Sequence, residues 1–522
     1  MSIEDYLTGI DQIVKRDDIR GVYGENIDAD FARRLGRSMA RIFRGTTAVE
    51  PVNVAIGHDM RLSGPVLARA LAEGLAAGGC RPIQMGLAGT ELAGFLPAHY
   101  SEVIDGGVII TASHNPADNN GFKFFGRKGQ PLELAEKMDP PCPESPLHRM
   151  ALSVKKSQIP ARLQWDDFAP DYIKSAVEKG ALDFEKAAAG SPHPMRIAVE
   201  AGNGMGGRIL GELAKITSVF EWTFSHANPD GRFPIMVPNP LNSKYQAMVT
   251  ELVRETDSDL GVCFDGDADR VAVADEHGEM IPPPFMAALI GRRLREKLGP
   301  DAKIAHNLAC SWAVADALGD RQNVTNGDAG TVMTPVGYGK IKLIMNANRE
   351  IAFGAEHSGH YMFREFYTAD SGMLAGMIML ELAAELHAEG KSISSELQQM
   401  RGRYLESGEI NFEMPADRPA EQVIGEAIEE FQHEAVRMYG VAEEGVSEVV
   451  REMDSYPPAF DQAVEDVRIE ADDWWFCMRK SGTEGTGGGV CRLYVEADGD
   501  RALLEEKRDA LVDFIGEQYR ID

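Results

Sequence analysis

Four short stretches carry residue types and spacings that could do chemistry. In the first, Gly107-Val-Ile-Ile-Thr-Ala-Ser-His-Asn-Pro116, the hydroxyl of Ser113 follows the apolar run Val108-Ile-Ile110, with His114 and Asn115 beside it. If the apolar run is a buried strand, Ser113 sits at its carboxyl end, where open α/β sheets bind ligands. A serine placed there can accept a transferred group. Ser, Asn and Pro also favour plain turns, so the stretch alone leaves both readings open. The second, Asp265-Gly-Asp-Ala-Asp-Arg270, sets three carboxylates at i, i+2 and i+4. In an extended loop alternate side chains share a side. Three carboxylates there, with no His or Cys nearby, suit a hard cation, Mg²⁺ above all; the competing reading is a solvated acidic turn. Unlike an EF-hand loop, this one is flanked by strand-like runs. The third runs from Arg479 to Gly489 and combines two cations, hydroxyl residues and many glycines. That is the inventory of a phosphate cradle, or of a flexible surface loop. The fourth, Glu356-His-Ser-Gly-His360, offers groups that could grip sugar hydroxyls, with His360 available for proton transfer.

The elements that must position these residues alternate in type. Helical periodicity covers Ala29 to Phe43 and Pro65 to Ala77, and apolar strand runs occur at Val52–Ile56, Val108–Ile110, Arg196–Glu200, Leu260–Phe264, Val271–Ala274 and Ile351–Phe353. Asp17 to Gly24 reads as a Gly-punctuated loop carrying Arg20. Strands alternating with helices predict mostly parallel, helix-covered sheets. The Pro-rich stretch Asp139–Pro146 reads as a linker region. From about Tyr404 the pattern changes to a helix over Ala420–Met438 and shorter strands at Trp474–Met478 and Arg492–Val495. The expected fold is therefore three similar α/β domains, 1–155, 156–280 and 281–402, plus a smaller α+β domain, 403–522, around a central cleft. In that order they carry the serine, acidic, Glu-His and Arg-Lys loops.

Composition narrows the partners. Lys+Arg 53 against Asp+Glu 82 gives a net charge of −29 over 522 residues. Such a surface repels nucleic acid and anionic membranes, so any phosphate site must be a local basic pocket. The six cysteines, Cys80, Cys142, Cys263, Cys310, Cys477 and Cys491, show no CxxC spacing, which argues against a zinc site or a disulfide framework and for a reducing compartment. The first residues lack the apolar run of a signal peptide. Glu381 and Glu385 make the most apolar helix too polar to span a bilayer. A cytoplasmic protein is expected.

Taken together the motifs resemble those of the α-D-phosphohexomutase superfamily, in particular its bacterial phosphomannomutase/phosphoglucomutase branch. Asp18-Ile-Arg-Gly21, Thr111-Ala-Ser-His-Asn-Pro116, Asn120-Gly-Phe-Lys123, Asp265-Gly-Asp-Ala-Asp-Arg270, Gly354-Ala-Glu-His-Ser-Gly-His360 and Arg479-Lys-Ser-Gly-Thr-Glu484 occur in the family's order across nearly the whole chain. The resemblance implies a four-domain enzyme that interconverts hexose 1- and 6-phosphates of mannose, glucose or both, through a phosphoserine and a hexose 1,6-bisphosphate. It makes Ser113 the phosphoryl carrier, and Asp265, Asp267 and Asp269 the holders of Mg²⁺ with Ser113. Arg20, Lys123, Arg270 and His360 would serve as proton carriers or charge stabilisers. Glu356 and Ser358 would bind the sugar's O3 and O4, with Gly337 and Tyr338 in a further sugar-contacting turn. Arg479, Ser481, Gly482 and Thr483 would hold the phosphate that is not reacting. A monomer or weak dimer is expected.

Three positions depart from the branch. Asp17 stands where an aromatic is common, Gly89-Thr-Glu91 replaces Pro-Thr-Pro, and Gly485 replaces a proline ahead of a lengthened segment reaching Cys491. Phosphoglucosamine mutase is the alternative activity within the superfamily, although Asp18-Ile-Arg-Gly21 and the serine loop lean toward the hexose branch. A simple phosphatase and a non-catalytic sugar-phosphate-binding paralogue are further alternatives. The binding paralogue would need neither the serine nor the three aspartates.

Overall fold

The computed structural model describes residues 18–45, 51–132, 165–319, 330–442, 464–481 and 488–521, together with Ile13 and residues 451–452. The expected linker at 139–146, Gly482 and Thr483 lie outside them. By contact the chain forms two compact units: residues 1–281 with 363–392, and 282–362 with 393–522.

The first unit holds two sheets. In one, the strands Val52–His58, Cys80–Leu87 and Gly106–Ile110 lie parallel, joined through the helices Gly64–Ala77 and Thr90–His99. The helix Ala29–Gly45 buries Phe31, Leu35, Met39 and Phe43, a four-residue spacing that puts them on one stripe against the sheet. The sheet is mixed rather than mostly parallel. Asn119–Phe125 pairs antiparallel with Gly106–Ile110, and Asp18–Val22 antiparallel with Asn119–Phe125. The turn after Ser113 is too short for a crossover helix, and a chain returning directly must pair antiparallel. Asp18–Val22, expected as a loop, is thus an edge strand, and its pairing aligns Asp18 with Lys123.

The second sheet has the order Phe220–Ser225, Met195–Glu200, Leu260–Phe264, Val271–Ala274. Its first three strands are parallel and the last pair antiparallel, so the acidic loop is the tip of a hairpin. The helix Gly372–Ala388 is buried almost all round, as its nearly unbroken apolar sequence requires.

In the second unit, Thr331–Thr334, Lys303–Asn307 and Ile351–Ala355 are parallel. The C-terminal sheet is antiparallel: Val490–Asp498, Trp474–Lys480, Val464–Glu470 and Arg437–Ala442 follow one another across it. The helices Ala420–Phe431 and Arg501–Ile515 supply Val423, Ile424, Leu504 and Leu511 to its core. The helix expected to reach Met438 stops at Phe431, because the strand Arg437–Ala442 claims the following residues. Arg468, buried above the Trp475 ring at 3.6 Å, donates to Glu470 and to the carbonyls of Leu308 and Cys310. It ties the two sheets of this unit together. Among the described residues, no helix is long and apolar enough to cross a membrane.

Candidate active site

The serine loop is held by buried polar groups. Ser113 has φ 49°, a left-handed conformation that a non-glycine residue keeps only when its surroundings enforce it. Arg61 does much of this. Fully buried, its guanidinium donates to the carbonyls of Ser113 at 2.9 Å, Asn115 at 2.6 Å, Asn119 at 2.9 Å and Pro116. Asp59 lies 3.3 Å from Arg61 Nε and accepts the Thr111 hydroxyl, whose oxygen accepts the Ser113 amide at 2.9 Å.

Ser113 Oγ donates to Asp265 Oδ2 at 2.7 Å and lies 3.1 Å from His114 Nδ1. Arg270 donates to the same oxygens, Nη2 to Ser113 Oγ at 3.2 Å and Nε to Asp265 Oδ2 at 3.1 Å. Gly266 is required by close approach: a Cβ there would stand 2.7 Å from the Ser113 carbonyl oxygen. Lys123 reaches from the neighbouring strand to Asp267 at 3.0 Å and Asp269 at 2.7 Å. Arg20 donates to Asp18 at 2.7 Å and to the Asn115 side chain at 3.3 Å. The first unit therefore brings together Ser113, Arg20, Lys123, Arg270 and the three aspartates.

Asp265, Asp267 and Asp269 are buried and offer ligand atoms within 4.8 Å of one another. Burial, then Asp269 and Asp267, push the Asp265 carboxyl well up. Burial also works against Asp267, but Lys123 and Thr90 outweigh it and hold that carboxyl down. Lys123 and Arg270 bring two positive charges to three adjacent buried carboxylates, so one carboxylate is left uncompensated unless a further cation joins them. Asp267 Oδ1 is enclosed and accepts no hydrogen bond from the described residues. An all-oxygen set with an enclosed, unsatisfied oxygen fits a hard divalent ion.

The second unit carries the other predicted groups. Glu356 Oε1 accepts the Gly337 amide at 2.7 Å and Asn307 Nδ2 at 3.0 Å, and Ser358 donates to Oε2 at 3.3 Å. Burial opposes ionisation of Glu356, yet His360, His357 and the Gly337 amide together bring it below the ordinary carboxylate range. The Tyr338 ring stacks on His360 at 5.2 Å. Glu409 accepts from Arg479 at 3.1 Å, from Arg492 at 2.9 Å and from Tyr494, and Arg492 also donates to Ser481 at 3.1 Å. Against burial, His357, Arg492 and Arg479 pull Glu409 down to about 2.

Models of the phosphoglucomutase/phosphomannomutase family match residues 11–138 as alpha/beta/alpha domain I, 170–278 as domain II and 283–404 as domain III. A phosphomannomutase of Escherichia coli is 30% identical, covering 95% of this chain and 97% of its own. The chain belongs to the phosphoglucomutase/phosphomannomutase family. A Vibrio cholerae phosphomannomutase is 29% identical over the same shares. Among solved structures, a family protein of Burkholderia thailandensis has a TM-score of 0.72 at 24% identity, covering 97% of each chain. The open form of Paramecium parafusin, a phosphoglucomutase, reaches 0.74 at 17% identity, covering 97% of this chain and 96% of its own.

Within this family frame, sequence reasoning missed Arg61, Asp59, Asn307, Glu409 and Arg492. Arg61 had a signal in the polar turn Gly57-His-Asp-Met-Arg-Leu-Ser-Gly64, too tightly set with charge for a plain connection. Glu409 follows a plain Ser-Gly pair and Arg492 stands within the strand Val490–Asp498, and neither had one. The departure at Glu91 is also resolved. Its carboxyl group accepts the Ser371 hydroxyl at 2.7 Å, the Met373 amide at 3.0 Å and the Tyr172 hydroxyl, while the adjacent Thr90 donates to Asp267.

Proposed function

We propose that the chain is a phosphohexomutase that interconverts the 1- and 6-phosphates of mannose and of glucose, with Ser113 as the phosphoryl carrier. The observation that carries this reading is the contact of Ser113 Oγ with both Asp265 and Arg270, beside three converging aspartates. In the forward half, the bond between phosphorus and Ser113 Oγ breaks as a bond to the sugar's free hydroxyl oxygen forms, and that hydroxyl's proton passes to a basic group. The 1,6-bisphosphate turns round, and its other phosphoryl group returns to Ser113. Little covalent chemistry falls to the protein beyond positioning and charge neutralisation. Asp265, Asp267 and Asp269, with the phosphoserine oxygens, would hold Mg²⁺, which neutralises phosphoryl charge when bound. Arg270 faces the transferring oxygen, and Lys123 holds Asp267 and Asp269 in place and favours the charged form of Asp267. Arg20 and His360 are assigned to the reacting end as charge stabiliser and proton carrier. Glu356 and Ser358, with the Gly337–Tyr338 turn, are assigned to the sugar hydroxyls. Arg479, Ser481, Gly482 and Thr483 are assigned to the non-reacting phosphate.

The preference for both sugars rests on that assignment. Glucose and mannose share O3 and O4 and differ at C2, and strong rejection needs a dedicated partner at the differing group. Inverting O4, as in galactose, leaves a buried polar group unpaired, at about 1–3 kcal/mol. Glucose, mannose, galactose and glucosamine 1-phosphates, assayed with Mg²⁺ and a catalytic amount of bisphosphate, test this. Similar kcat/KM for glucose and mannose and a loss of about 5–150-fold for galactose are expected. Intact mass should show one stable phosphate, absent in Ser113→Ala. A strong preference for glucosamine phosphate would move the activity to the phosphoglucosamine branch. Absence of the phosphoserine would leave a phosphatase or a binding protein.

A further inference from the structure

The strand Leu260–Phe264 is followed by Asp265 and preceded by Asp259. Six residues of extended chain separate the two by about 20 Å, so Asp259 lies at the opposite edge of the sheet from the acidic loop. There it meets two histidines. His193 stands just before the adjacent parallel strand Met195–Glu200, and His387 lies in the last turn of the helix Gly372–Ala388. One ligand atom from each of His193, Asp259 and His387 lies within 4.8 Å of the others.

The geometry points to a transition-metal site at this edge, of the kind that takes Zn²⁺ through two imidazoles and one carboxylate. Two independent features support it beyond proximity. His387 Nε2 is enclosed and has no hydrogen-bond partner among the described residues, and such an orphan is normally satisfied by water, a protein group or an ion. The two imidazole rings are tilted by 60° with centroids 4.9 Å apart, where two imidazoles on one tetrahedral ion, with Zn–N bonds of about 2.0–2.1 Å, have centroids about 5 Å apart.

The ligands are also prepared. His193 sits between Pro192 and Pro194, which restrict its backbone. Its Nδ1 donates to the Pro194 carbonyl at 3.0 Å, an arrangement that leaves Nε2 as the lone-pair nitrogen. Asp259 is fixed by its own backbone: its amide donates to the Arg196 carbonyl and its Oδ2 accepts the Arg196 amide, each at 2.8 Å. Arg196 is the opposing charge. Its guanidinium approaches Asp259 Oδ1 at 3.7 Å but spends its close contact, at 2.7 Å, on Asp257. Two imidazoles select Zn²⁺ over the Mg²⁺ that suits an all-carboxylate set. Ligands drawn from two loops and a helix end would make the ion a staple between Gly372–Ala388 and the sheet.

Equilibrium dialysis of the full chain against Zn²⁺, with millimolar Mg²⁺ present to occupy the aspartate loop, tests the site. The parent protein should retain one Zn²⁺ that His193→Gln and His387→Gln each bind at least about 100-fold more weakly, since even an outer-shell partner is worth 10–100-fold. Zn²⁺ should raise the parent's Tm and leave that of the variants unmoved, with mutase turnover unchanged in both. His193 is exposed, so its variant keeps the test independent of folding. Equal Zn²⁺ retention by parent and variants, or none by the parent, overturns the site.

Discussion

At the scale of single residues, the serine loop shows how a reactive group is held in a conformation it would not choose. Ser113 takes a positive φ, and the strain is offset by Arg61, which gathers four carbonyls from the same loop. A lysine retains the charge beside Asp59 but has one point-like ammonium in place of a planar fork. Arg61→Lys should therefore leave the fold intact while displacing Ser113 Oγ from Asp265 and Arg270. Misplacement of about 1 Å costs about 100-fold in rate, so kcat should fall by that order with an unchanged far-UV circular dichroism spectrum. Near-parental kcat would show that the loop keeps its shape without the guanidinium.

Between elements, Glu91 joins the N-terminal turn of Thr90–His99 to that of Gly372–Ala388, through Ser371 and the Met373 amide. Burial raises its carboxyl from the usual 4.5 to about 8, against the pull of the Met373, Tyr172 and Ser371 hydrogen bonds. Between those two values the folded protein holds a proton that the unfolded chain has released. Stability contributed by this group is complete below about pH 4.5 and declines as pH rises toward 8, by at most about 1.4 kcal/mol per pH unit. Glu91→Gln keeps a neutral hydrogen-bonding group of the same size. Urea unfolding at about pH 5 and about pH 8 should show this decline in the parent and a flatter profile in the variant. Identical profiles would mean that Glu91 is ionised in the fold.

For the whole molecule, the net charge of −29 has to coexist with a substrate that is itself an anion. The chain places its functional cations against carboxylates: Arg270 on Asp265, Lys123 on Asp267 and Asp269, Arg479 and Arg492 on Glu409. The remaining surface repels itself, which favours expansion. Raising NaCl from about 0.1 to about 1 M shortens the screening length from about 10 to about 3 Å. Tm should rise by several degrees across that range. A falling Tm would show that surface ion pairs outweigh the net repulsion.

The sequence by itself determined the family, the α/β class and the loops that carry the chemistry, because each lies in a few consecutive residues. Asp265, Asp267 and Asp269 converge through local spacing alone, and apolar runs such as Val108–Ile110 announce buried strands through composition. Tertiary structure decided what depends on distant pairing. Asp18–Val22 is a strand only because Asn119–Phe125 offers it an edge, and the helix after Ala420 stops where Arg437–Ala442 is drawn into a sheet. Arg61 reaches a loop 52 residues away, Glu409 meets Arg479 across 70, and Asp259 finds His193 and His387 from separate elements. No local propensity encodes such meetings: they exist because hydrophobic burial brings the elements together, and buried polar groups must then find partners among whatever the packing places beside them.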